Sequence, residues 1–182
     1  MAGPRQGLGL VAIRGLGSWR WPAIGLGLAV AGMLHTASMA EAQSFDKRIG
    51  GIISDEAADS AIGFALRNIQ KAQCTPEQSC ARATAEELAS PPIATADART
   101  AMIFAVKSAM ASWCALDYRR SFLAMMARVR EEQGFGERQA ALMALVHGAF
   151  MQHQLSSYED SGKPCPEQLK ARLDALLPKL SP

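Results

Sequence analysis

Apolar positions recur at helical spacing through most of the chain. Ile62, Leu66 and Ile69 fall at i, i+4 and i+7, one stripe of a helix over residues 52–72. Ser54 precedes that stripe as a cap, and Asp55 and Glu56 follow where negative charge suits the positive end of a helix. Thr84 and Glu87 in TAEE have capping-box spacing and predict a short second helix. Two prolines in ASPPIATAD (89–97) break it and enforce an extended segment. Thr95 is the expected cap of a third helix, with Asp97 in its first turn and Met102, Val106, Ala109, Trp113 and Leu116 down one side. Asp117 starts a fourth, with Phe122, Met126 and Val129 as its inner face. Gly134 in GFG suits the left-handed position past its end. The fifth helix covers residues 137–155, and a polar loop, SSYEDSGKPC, leads to Pro166 and a last amphipathic helix through Leu177. No stretch sustains the alternation of a strand, and no internal repeat occurs. The pattern predicts an all-α fold, a compact bundle of five to six helices.

The first forty residues follow a different rule. Arg5, Arg14 and Arg20 precede an apolar run, Pro22 to Leu34, and no acidic residue occurs before Glu41. A basic start, a short apolar core and a small-x-small site make a secretory signal peptide, with Ala40 and Ala42 at the −3 and −1 positions. The run is shorter than the ~20 residues of a spanning helix and is broken by glycines, so a retained anchor is the weaker reading. The expected organisation is a Sec-type leader over 1–42, cleaved after Ala42, and a single helical domain over 43–182 in the periplasm or outside the cell.

Cleavage changes the charge. The whole chain carries 19 basic and 17 acidic side chains, a net charge of +2. The leader contains three arginines and one glutamate, so the remainder has 16 of each sign and is neutral. No basic block remains to grip phosphates, which argues against nucleic acid as a partner.

All four cysteines follow the leader. In an oxidising compartment they form two disulfides. Of three pairings, the sequence favours Cys74–Cys80, which closes CTPEQSC around Pro76, with Cys114–Cys165, which ties mid-chain to the C-terminal end. The CxxC spacing of a metal site is absent.

Two stretches carry candidate chemistry. In LMALVHGAFMQH, Met143, His147 and Met151 share a helix face, and thioether with imidazole suits Cu(I). Leu142, Leu145, Val146 and Phe150 make the same helix apolar on most sides, however, and methionine fills such cores without any metal. In WCALDYRRSF, Trp113, Tyr118, Arg119 and Arg120 are the residue types of binding hot spots, and the two arginines can fork a carboxylate or phosphate. Tyr158 is expected close to this corner, brought there by Cys114–Cys165. His147 with Cys114 or another nucleophile would make a hydrolase-like enzyme, yet no GxSxG, HExxH or phosphate loop accompanies it. CxxCH is also missing, which excludes covalent haem. The expectation is an exported protein without cofactor that acts by binding a protein, as an accessory, inhibitor or immunity factor, and not by catalysis. A periplasmic copper carrier stands as the alternative.

Overall fold

Residues 39–178 are described by a computed structural model, and all of them belong to one compact unit. Helix dominates, as the periodicity predicts. Seven α-helices occur among the described residues: α1 Met39–Ile52, α2 Asp55–Asn68, α3 Ala85–Ala89, α4 Thr95–Trp113, α5 Arg119–Ala127, α6 Glu137–Asp160 and α7 Glu167–Leu176. The leader expected over 1–42 lies outside the described residues except for its last four positions, which open α1.

α1 is one helix more than the apolar pattern suggests. It buries Ile49, with Ile53 buried just past its end, and its Asp46 pairs with Lys107 of α4 at 2.5 Å. At Gly50 the two helices approach closely, since a Cβ there would stand 3.2 Å from Ile103 Cδ1. So few anchoring side chains leave little periodic signal.

The middle of the molecule is the α4–α6 pair, with α2 against both. Ala98, Ala101, Ala105 and Ala109 of α4 and Leu142, Met143 and Val146 of α6 are closed to solvent. The small α4 side chains let α6 approach, and the larger ones fill the space between.

Several boundaries follow their predicted caps. Ser54 Oγ accepts from Ala57 N at 3.1 Å. Thr84 and Glu87 form the reciprocal box, Glu87 N to Thr84 Oγ1 at 3.2 Å and Thr84 N to Glu87 Oε2 at 2.9 Å. Gly134 has φ +65°.

Other expectations need correction. The residue ahead of α4 is Ala94, whose N–H is met by Asp97 Oδ2 at 3.0 Å, while the Thr95 hydroxyl donates to Asp59 of α2 at 2.6 Å. The inner face of α5 and of the π-turn Arg128–Glu132 that continues it is Ser121, Met125 and Val129, so Phe122 and Met126 stand beside it and only half-buried. α6 continues to Asp160, and Tyr158 is helical, not part of a loop; Gly162 at φ +63° follows its end. Strand pairing does occur, as a small antiparallel hairpin of β1 Gln73–Thr75 and β2 Gln78–Ser79. The Cys74–Cys80 bridge forces it, since it holds the two Cα atoms 4.9 Å apart. Cys114–Cys165 is the other disulfide, and no cysteine is free.

Candidate functional site

Ser108, Ser121 and His147 are the buried polar side chains among the described residues, and they meet at the α4–α5–α6 junction. Ser108 Oγ and His147 Nε2 share a hydrogen bond of 2.9 Å. Ser121 Oγ donates to the Phe104 carbonyl at 3.0 Å, and that carbonyl also bonds the imidazole. The Ser108 hydroxyl lies 3.4 Å from the Tyr118 carbonyl, ahead of α5. Phe122 presents its ring to the imidazole at 5.1 Å, tilted by 55°. Burial pushes the His147 pKa down to about 4, against a smaller upward pull from the Phe104 carbonyl. His147 is therefore neutral at pH 7.

A serine beside a histidine is the arrangement of a nucleophile and its base. Here Ser108 is closed to solvent and His147 is 3% exposed, so the pair offers no surface to a substrate. The cluster joins three helices.

The second candidate lies at the surface, where α4 ends. Trp113 and Tyr158 stack at 5.1 Å with an interplanar angle of 24°, beside the Cys114–Cys165 bridge. Trp113 Nε1 donates to the Lys163 carbonyl at 3.2 Å. Both rings are half-buried, and burial raises the Tyr158 pKa. Between Cys114 and α5 the chain turns sharply, with Ala115 at φ 55°.

Arg119 and Arg120 do not form a fork. Arg119 folds back on Asp117, Nε to Oδ1 at 2.8 Å and Nη2 to Oδ2 at 2.7 Å, and its hydrogen bonds hold the Asp117 carboxyl below the usual carboxylate range. Arg120 faces the other way and straps α5 to the end of α7. It bonds Asp174, the Leu177 carbonyl at 2.7 Å and the Pro178 carbonyl at 2.7 Å. Adjacent helical residues point about 100° apart, which explains the divergence.

No family model, curated protein or solved structure matches the chain.

Of the predicted site residues, Trp113 and Tyr158 come together, Arg119 remains 64% exposed six residues after Trp113, and Tyr118 links the corner to the buried cluster through its carbonyl. Met143 is closed to solvent, Met151 is half-buried, and His147 already has Ser108 on Nε2. No group of three His, Cys, Asp or Glu side chains able to hold a metal occurs among the described residues. The two serines escaped the sequence reading, although each lies on a buried stripe: Ser108 follows Ala101 and Ala105, and Ser121 precedes Met125 and Val129.

Proposed function

We propose that the chain is an exported protein-binding factor of the accessory, inhibitor or immunity kind, which meets its partner at the Trp113–Tyr158 corner. One observation carries this reading: two aromatic rings from different helices stacked at the surface and fixed beside a disulfide. Rigid, partly exposed aromatics give up little conformational freedom on association, and with arginine they dominate binding hot spots. Arg119, exposed and six residues after Trp113, adds a guanidinium held in place by Asp117. Two disulfides suit an oxidising compartment, and no helix of the described residues is long and apolar enough to cross a membrane. Both are compatible with export through a cleaved leader.

The test is affinity capture from the exported fraction with the oxidised protein, followed by calorimetry on each protein retained. Trp113→Ala and Arg119→Ala are expected to weaken the pairwise affinity at least tenfold. An unchanged affinity in both variants, or no retained protein, overturns the reading.

A further inference from the structure

We propose that residues 121–133 form a lid released by protonation of the buried imidazole beneath it. The geometry supplies three supports. α5 packs mainly on α4 and little on α6, the helix that carries His147. Its seat holds the polar cluster: Ser121 on the Phe104 carbonyl, Phe122 against His147, and Met125 and Val129 closed to solvent around them. The C-terminal end leaves α-helical geometry, and the N-terminal side follows a sharp turn ahead of α5. Ala115 at φ 55° precedes it, and a π-turn, Arg128–Glu132, runs into Gly134 at φ +65°.

Nothing charged stands ready to receive a proton's charge. Of the charged groups on the elements around His147, Asp97 accepts from Ala94 and Gln133; Glu131, Glu159 and Asp160 are exposed; and the rest are engaged elsewhere. Lys107 of α4 pairs with Asp46, and Arg99 with Asp55. On α5 and its π-turn, Arg119 holds Asp117, Arg120 holds Asp174, Arg128 pairs with Glu132 and Arg130 with Glu137. On α6, Arg138 pairs with Glu87, and His153 lies against Phe150. Tyr118 offers the cluster only its carbonyl. An imidazolium at this place is a buried charge without a counter-ion, and moving Phe122 aside is the short route to water.

Arg120 decides which part yields. Three of its bonds go to the backbone carbonyls of Asp174, Leu177 and Pro178, which do not titrate. The first turn of α5 therefore stays on α7, and the chain opens from Ser121 onward toward Gly134.

The sign follows from linkage. His147 closed has its pKa near 4 and open near 6.5, so the open state takes up the proton as pH falls between those values. The closed lid is fully favoured above pH 6.5. The open-to-closed ratio should rise by roughly two orders of magnitude by pH 4.5.

Amide exchange on the intact, oxidised protein tests this at pH 7 and pH 4.5, with intrinsic exchange corrected. Protection at residues 121–133 is expected to fall at least thirtyfold while the central turns of α4 and α6 keep theirs. His147→Gln, which cannot titrate, should abolish the difference. Should that variant not fold, nitrogen NMR of the wild-type imidazole replaces it, and a titration coupled to lid exchange is expected. Unchanged lid protection, equal loss in α4 and α6, or a pH effect persisting in His147→Gln overturns the proposal.

Discussion

Between α4 and α6 contact is made by alanine, leucine, methionine and valine side chains closed to solvent, whereas α3 buries no side chain at all. The segment around α3 is held instead by directional bonds from the first turn of α6. Arg138 reaches Glu87 at 2.5 and 2.7 Å and the Ala81 carbonyl at 2.9 Å, and Gln139 Nε2 donates to the Pro92 carbonyl at 2.8 Å. The C-terminal side repeats the device with Arg120, Trp113 Nε1 and the Cys114–Cys165 bridge. Area burial stabilises long helices diffusely, while a short element with little area to bury depends on a few bonds. The first kind of region should lose stability globally on truncation, and the second should come loose locally.

The largest effect should come from the long bridge. Cys114 and Cys165 enclose a separation of 51 residues, so Cys114→Ser with Cys165→Ser should cost about 4 kcal/mol in the chain-entropy account. The same change at Cys74 and Cys80, six apart, should cost about 2 kcal/mol. Urea unfolding followed by Trp113 fluorescence measures both. Equal losses would show that loop length does not govern the bridges here. Next comes Leu142→Ala in the centre, for which a loss of roughly 3 kcal/mol is expected, spread over every probe of unfolding.

The rim should respond differently. Arg138→Ala removes four hydrogen bonds around α3 and should cost about 2 kcal/mol, with exchange rising in residues 81–89 well before the α4–α6 amides change. If all amides weaken together, the rim is not a separate layer. Acid should open the same clamp. The Arg138 guanidinium holds the Glu87 carboxyl down from the usual 4.5 to about 2. A depressed carboxylate stabilises above its unfolded value, so this contribution is complete above pH 4.5 and disappears as pH falls toward 2. Exchange of residues 81–89 followed across that window should show the loss, and Arg138→Ala should flatten it. His147 acts in a higher window, between pH 6.5 and 4, so the two regions separate on the pH axis as well.

Sequence made the helical centre and the caps legible because both are local codes. Ile62 and Leu66 repeat at one helical turn, and Thr84 reaches Glu87 within one. The favoured cysteine pairing was readable for a similar reason: a seven-residue loop closes easily, which leaves one partner each for Cys114 and Cys165. Most of what failed was decided by distant contacts. SSYED reads as a loop by composition, yet it is helical because Tyr158 has Trp113 to stack on. Arg119 and Arg120 read as one fork, but Asp117 and the end of α7 divide them. The α5 face is misjudged by one position because Ser121 satisfies its hydroxyl on Phe104, so a polar residue faces inward where Phe122 looked the better candidate. A serine on an apolar stripe is the signal that finds such a cluster.

The smallest effect tests the turn that joins the two kinds of region. Ala115 adopts φ 55°, is exposed, and follows a disulfide-bonded cysteine that packs into the centre. A left-handed alanine costs about 1 kcal/mol relative to glycine, and the cost persists because the bridge and the Leu116 N–H bond to Ala111 at 2.8 Å over-determine the turn. Ala115→Gly removes that strain but gives the unfolded chain more freedom, worth roughly 0.4–1 kcal/mol in the opposite sense. A net gain of about 0.5 kcal/mol at most is expected from the urea midpoint. Gly134→Ala is the mirror experiment. Its Cβ meets nothing within 4 Å, so the φ of +65° alone should destabilise by roughly 1 kcal/mol. If Ala115→Gly instead lowers stability by that amount, the left-handed turn is held by contacts of the alanine methyl, and the bridge is not what fixes it.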